Sequence, residues 1–317
     1  MPPQGLSLLQ PSAVPAPSTL SRVGVVVNAS SRQVNERLLR LLPEVIPSDD
    51  LYVTHLAADI GLLARRLLER QYDTLFLGGG NRTFATLTSA LLRHACASNR
   101  PLPRLGLLRL GQTQGLATLL RASGRGGRAG HLDDVLRARA GEVPGYRQLG
   151  LLEVDGTHAL AAGMGLELLC GSSRGLAPGV VALEARVGRG GHALRLDASG
   201  RPVGDALEEG ALLFRGKANI AAAAMVPHVL GDEGAFPCAG HPSHMHLRVG
   251  RRAGALRSLL PGHDAALYEF HATSIELRFE RQVPLWLGPN GRAHRDTLHL
   301  AVHESPVEVC DFSHAFH

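Results

Sequence analysis

The sequence predicts two units: an α/β domain whose parallel sheet is covered by helices on both faces, followed by a β-rich, sandwich-like domain. Three observations carry this. Between Arg22 and Ala140 short apolar strands alternate with stretches of helical periodicity, and that alternation implies parallel pairing. From about Tyr146 the period changes to short, often alternating runs separated by Gly, Pro and Asp, the pattern of antiparallel strands. The 317 residues suffice for two ordinary cores. The boundaries read from the pattern are 1–20 for a disordered leader, 21–143 for the α/β domain and 144–317 for the β-rich domain.

The leader is proline-rich and uncharged, and lacks the basic start and long apolar core of a secretory signal. Val23 to Val27 is a β-branched strand ending at Asn28, with Ala29, Ser30 and Ser31 in the turn. The next helix, Val34 to Leu42, buries Leu38, Leu39 and Leu42, and Pro47 marks its end. Leu51 to Thr54 is a second strand. Asp59 caps a helix to about Arg70 that turns Ile60, Leu63, Leu67 and Leu68 inward. Thr74 to Leu77 is a third strand, bounded by Gly78, Gly79 and Gly80, where the lack of a Cβ permits positive φ and close approach of backbone to a ligand. Asn81, Arg82 and Thr83 open a helix carrying Phe84, Leu87 and Leu91, and Leu105 to Leu110 is a fourth strand closed by Gly111. A basic loop, Gly124 to Gly130, and a short helix, Leu132 to Ala140, complete the first domain. Strands of the second are expected at Leu149–Val154, Leu194–Leu196, Ala211–Phe214, Met245–Val249, Ser274–Phe279 and Leu298–Val302.

Strand, glycine turn and helix N-terminus together aim free N–H groups and the positive end of a helix dipole at one spot, which suits a phosphate. The same turn also serves as a plain tight connection in any α/β protein. Ligands of parallel sheets sit at the carboxyl ends of the strands. Three turns meet there: Asn28 to Ser31, Gly78 to Thr83, and Gly111 to Gln114. The glycine turn lacks the lysine of a P-loop, the first strand ends without the glycines of a dinucleotide fold, and no Gly-x-Ser-x-Gly elbow occurs. The net charge of +5 comes from arginine, which fits a phosphate-rich ligand or an anionic membrane surface, but also a G+C-rich genome. Aromatic residues make up only 4% and do not interleave with a basic run, which disfavours nucleic acid as a partner. The four cysteines lie far apart, as in a reducing compartment.

This order of turns resembles the catalytic family of the diacylglycerol kinases, which includes bacterial lipid kinases and the sphingosine and ceramide kinases. The resemblance covers residues 23 to about 120, then Ala162-Gly163-Met164-Gly165, Lys217-Ala218-Asn219-Ile220, and Ile275 to Val309. It implies an α/β nucleotide-binding domain and a β-rich lipid-binding domain. The implied reaction is transfer of the ATP γ-phosphate, with Mg²⁺, to the hydroxyl of a diacylglycerol- or ceramide-like lipid. It implies a cytoplasmic protein in transient, peripheral contact with the inner membrane surface. By resemblance and strand-end geometry, Asn28, Ser31, Gly79, Gly80, Thr83, Gly111 and Thr113 line the nucleotide phosphates, with Thr54 a further candidate.

The motifs also depart from the family. Its Gly-Gly-Asp-Gly-Thr turn is here Gly79-Gly80-Asn81-Arg82-Thr83, so Asn81 and Arg82 stand at the catalytic positions. An amide cannot take a proton or offer a full negative charge, while the guanidinium of Arg82 can meet a phosphate. The family's Leu-Gly-Thr-x-Asn is Leu110-Gly111-Gln112-Thr113-Gln114, and its Asp-Gly-Glu is Asn290-Gly291-Arg292. In Gly163-Met164-Gly165-Leu166-Glu167 a Glu replaces the family's Asp. Mg²⁺ is held through one or two carboxylates plus phosphates, and neither expected place supplies one. The reading is a lipid-kinase fold with impaired chemistry, a pseudokinase that binds lipid, nucleotide or both; the alternative is an active, atypical diacylglycerol or ceramide kinase. Cys238, His241, His244 and His246 form one metal-like cluster, with His244 and His246 two apart on a strand, but no metal ligand is assigned from sequence.

Overall fold

The computed structural model describes residues 21–55, 60–111, 115–124, 130–143, 145–169, 179–227, 235–251, 267–288 and 291–313. The first half runs β1 (Val23–Asn28), α1 (Glu36–Val45), β2 (Leu51–Thr54), α2 (Ile60–Glu69), β3 (Thr74–Gly79), α3 (Asn81–Ser98), β4 (Arg104–Arg109), α4 (Gly115–Leu119) and α5 (Asp133–Arg139). The second runs β5 (Tyr146–Leu149), β6 (Leu152–Val154), β7 (Thr157–Ala159), β8 (Ala161–Met164), α6 (Leu166–Leu169), β9 (Val181–Val187), β10 (His192–Leu196), β11 (Pro202–Glu208) and β12 (Leu212–Ala218). It ends with β13 (Ile220–Ala224), β14 (Met245–Gly250), β15 (Leu267–Ala272), β16 (Ser274–Trp286), β17 (Arg292–Val302) and β18 (Val307–Cys310).

Successive residues of a strand point to opposite faces, and here both faces are covered. Val23, Val25, Val27 and Phe76 pack with Leu42 of α1 and Val135 and Ala138 of α5. Val26, Leu75 and Leu77 pack on the other side with Leu67 of α2 and Phe84, Leu87 and Leu91 of α3. A run without polar alternation is what a doubly covered sheet requires. The sheet order is β2-β1-β3-β4-β18-β5, parallel except for the β18–β5 pair. The second sheet is antiparallel, in the order β11-β10-β15-β14-β13-β8-β16-β17-β6-β7, with β9 joining β16 to β12. Along β13 the alanines alternate between cores: Ala222 and Ala224 face the α3 side, Ala221 and Ala223 the interior of the β-rich half. The predicted fold class is the observed one.

Several local expectations shift. Helix α1 starts later and runs through Pro43, with Asn35 as its cap: the Leu38 N–H donates to Asn35 Oδ1 at 2.9 Å. Leu42 is buried, while Leu38 and Leu39 are half-buried. The expected strand Leu149–Val154 is two, β5 in the first sheet and β6 in the second. The last strand, β18, returns to the first sheet, where Val309 pairs with Leu105. Two stretches that the sequence reading placed in the β-rich half therefore hydrogen-bond to the α/β half, because sheet membership depends on pairing across the fold. Gly78, Gly79 and Gly80 do not adopt positive φ; Gly80 is extended at φ −103°. Contact constrains Gly79 instead, since a Cβ there would stand 2.4 Å from Thr83 Oγ1. The leader, the Asp59 cap, Thr113 and Asn290 lie outside the described residues.

The two halves also meet where β7 packs on α3. The His158 backbone N–H donates to Ser89 Oγ at 3.1 Å, and Ser89 Oγ lies 3.2 Å from His158 Nδ1. Burial, with His303 and Arg93 nearby, lowers the His158 pKa to about 4. The unfolded chain, near 6.5, therefore binds the proton that the folded chain refuses, so stability falls as pH drops from about 6.5 to about 4. Denaturation midpoints measured across that window are expected to decline in the parent and to decline less in His158→Asn.

Candidate functional site

The carboxyl ends of β1, β3 and β4 bring most of the sequence-predicted site residues together. At the end of β1, Asn28 Oδ1 accepts the Ser30 N–H at 3.0 Å and its Nδ2 donates to Thr83 Oγ1 at 3.2 Å. This single side chain both closes its own turn and fastens it to the first turn of α3. The Thr83 hydroxyl accepts that bond and keeps its proton to donate. Asn28→Ala removes both bonds and is expected to lower unfolding free energy by about 2 kcal/mol, read from urea denaturation.

Gly80 caps α3, and Gly111 after β4 lies against it: a Cβ on Gly111 would stand 2.2 Å from Gly80 Cα and 2.3 Å from Gly80 N. Only backbone separates the two turns here. Ser31, half-buried, donates its backbone N–H to the Asn28 carbonyl at 2.9 Å. The Ala29 N–H donates to the Thr54 carbonyl at 2.8 Å, which ties the end of β2 to the same turn. The Gln33 N–H reaches across to the Leu110 carbonyl at 3.1 Å. Asn28, Ser31, Thr54, Gly79, Gly80, Thr83 and Gly111 therefore belong to one connected set of turns.

Asn81 and Arg82 differ sharply. Asn81 is 8% exposed, and its Oδ1 accepts the Leu116 N–H at 3.4 Å. Leu116 is the second residue of α4, where N–H groups lack intrahelical partners. The amide thus stitches the start of one helix to the start of another, a contact that local sequence gave no means of foreseeing. Arg82 is exposed and has no ion-pair partner among the described residues. It lines no buried position.

The first N–H groups of α3, an 18-residue helix, and the Thr83 hydroxyl form a donor set suited to an anion such as phosphate. A divalent cation fits less well: the predicted site residues are amides, hydroxyls, glycines and one arginine, without a carboxylate. A cavity of about 430 Å³ lined by Tyr72, Asp73, Arg100 and Arg104 opens at the opposite edge of the sheet, by the N-terminal ends of β3 and β4. Parallel sheets hold ligands at the other end, so the turn cluster is the better candidate.

In the second half, Gly163 (φ +137°) and Gly165 (φ +72°) sit where backbone conformation and contact both exclude a side chain, since their Cβ atoms would meet the Ala221 and Asn219 carbonyl oxygens at 2.3 and 2.2 Å. The Cys238/His cluster separates into two. His244 precedes β14 and joins His241 (Nδ1–Nδ1 3.1 Å) and His192 (Nε2–Nε2 3.1 Å), whereas His246 lies inside the sheet with Cys238 and Glu269. The expected alignment of His244 with His246 fails because the strand begins only at Met245.

No family model matches the sequence, and no curated protein does. Solved structures do match. A diacylglycerol kinase from Bacillus anthracis superposes at TM-score 0.62 with 14% identity, covering 93% of this chain and 98% of that one. Two further Bacillus anthracis structures described in those terms match at TM-score 0.62, with 13% and 12% identity and coverage of 93% and 94% of this chain and 98% of each of theirs. The chain therefore has the two-part fold of these diacylglycerol kinase structures.

Proposed function

We propose that this chain binds a nucleotide through its phosphates at the strand-end turns and a lipid alcohol beside them, with phosphoryl transfer impaired. The observation that carries the reading is Asn81, an amide at the position where the resembling family has a carboxylic acid, buried and bonded to the Leu116 N–H. It holds two helices together but cannot accept a proton from a lipid hydroxyl. The N–H groups opening α3 would meet the phosphates, with Thr83 donating its hydroxyl and Asn28 holding Thr83 in place. Arg82, exposed at the rim, would add a positive charge. ATP supplies the transferable phosphate when bound, and the family reaction uses Mg²⁺. The assigned turns contribute no carboxylate to that ion, so it would rest on the phosphates and water.

No helix among the described residues is long and apolar enough to cross a membrane, and access to a lipid would be by transient contact with a membrane surface. The test is a phosphorylation assay with ATP, Mg²⁺ and diacylglycerol or ceramide in mixed micelles, run beside a direct ATP-binding titration. Saturable ATP binding with slow or absent lipid phosphorylation supports the proposal. Rapid phosphorylation favours an active, atypical diacylglycerol or ceramide kinase. Absence of ATP binding overturns the nucleotide assignment.

A further inference from the structure

Strands β14 and β15 pair with His246 opposite His271 and Arg248 opposite Glu269. Residues directly opposed, or two apart on one strand, share a face, so these four side chains project from one side of the sheet. Met245, Leu247, Val249, Phe270 and Ala272 fill the core on the other. The segment ahead of β14 crosses the polar face. Phe236 sets its ring edge against His246, with centroids 5.8 Å apart, and the Cys238 carbonyl oxygen lies 2.7 Å from His271 Nε2. That brings Cys238 in from above, and one ligand atom each from Cys238, His246 and Glu269 lies within 4.8 Å of the others.

His246 is the second, independent sign. Its side chain is fully buried, yet neither ring nitrogen has a hydrogen-bond partner among the described residues. Nε2 comes only to 3.5 Å from Glu269 Oε2. A buried imidazole left unsatisfied on both nitrogens is costly, and a neutral imidazole offers a lone pair that a metal can take.

We propose that Cys238, His246 and Glu269 bind a divalent cation of the zinc class, leaving one coordination position open. Thiolate, imidazole and carboxylate are the donors that zinc takes together. With Zn–N near 2.0 Å and Zn–S near 2.3 Å, the edges of a tetrahedral set are about 3.3–3.5 Å. The His246–Glu269 edge is at 3.5 Å already, and the Cys238 sulfur lies within 4.8 Å of both. Charge also balances: one thiolate and one carboxylate neutralise the ion, while Arg248 Nη2 holds Glu269 Oε1 at 2.7 Å and turns Oε2 toward the site. On binding, the thiol proton leaves to solvent. The ion pins the segment carrying Phe236 and Cys238 onto β14 and β15.

Cobalt(II) titration of the chelator-stripped full chain tests this, because a cysteine thiolate on cobalt gives a near-ultraviolet charge-transfer band. One equivalent of Co²⁺ is expected to produce the band and Zn²⁺ to abolish it. Cys238→Ser loses the band; Cys96→Ser keeps it, as does the double variant His241→Ala/His244→Ala, which removes the neighbouring histidine cluster. A band that survives Cys238→Ser, or parent protein that develops none, overturns the assignment. If Cys238→Ser fails to fold, Glu269→Gln replaces it, with loss of tight one-equivalent zinc binding expected and unchanged affinity contradicting the site.

Discussion

Gly111→Ala is expected to lower unfolding free energy by about 3 kcal/mol, the upper end of what overpacking costs, and to abolish ATP binding. The added methyl would stand 2.2 Å from Gly80 Cα, and Gly80 Cα belongs to the backbone cap of α3. A flexible side chain could swing aside; two strand-end turns locked by Asn28 and Asn81 cannot. Gly111 is not at positive φ, so the penalty is one of contact alone. Gly141→Ala is the matching control, with φ +77° and nothing within 4 Å of a Cβ; it should cost about 1–2 kcal/mol through its backbone and leave binding intact. Urea denaturation and an ATP titration of the two variants check both parts. Equal behaviour of the pair would show that the turns are not packed as described.

The second large effect is a gain. Restoring the acids and the glycine with Asn81→Asp, Arg82→Gly and Asn290→Asp is expected to raise lipid phosphorylation by about 10²-fold or more, the range in which a positioned acid or base contributes. An aspartate at 81 can still accept the Leu116 N–H, so the stitch between α3 and α4 survives. Arg82 is exposed, and glycine in its place costs about 1 kcal/mol of helix propensity. Melting temperature and circular dichroism should therefore stay near the parent values while turnover rises. A folded triple variant that transfers no faster than the parent would sink the lost-acid explanation.

How much of this was legible beforehand depended on the range of the interaction. Strands β1, β3 and β4 were readable because a sheet covered on both faces leaves a continuous apolar run, as in Val23 to Val27. The turn cluster followed, since strand ends in a parallel sheet converge whatever the side chains. The placement of β18 beside β4 was not readable: Val307 to Cys310 is a short segment, and the Val309–Leu105 pairing joins residues 204 positions apart. Strand β9, Val181–Val187, alternates between buried and half-buried residues, and the glutamate and arginine on its half-buried side obscured the apolar one. Strand β13 escaped for another reason, because a run of alanines carries no period of its own.

The site shows the same division. Asn28, Gly79, Gly80, Thr83 and Gly111 came from strand-end geometry together with the family resemblance, whereas the bond from Leu116 to Asn81 required knowing where α4 starts. The metal-ligand cluster shows it most plainly. Cys238 and His246 stood out by type, but Glu269 enters only through the diagonal register of β14 and β15, and His241 and His244 leave because they precede the strand.

The most direct measurement is the melting temperature of the purified chain with ATP, with and without Mg²⁺. A ligand that binds only the native state stabilises it by about 2.7 kcal/mol at a hundredfold excess over Kd, a shift of a few degrees for a chain of this size. An anion site built from the α3 N-terminus, Thr83 and Asn28, with no carboxylate among its assigned residues, predicts that ATP alone raises the melting temperature and that Mg²⁺ adds little. No shift with ATP under either condition, or one that appears only with Mg²⁺, would contradict it.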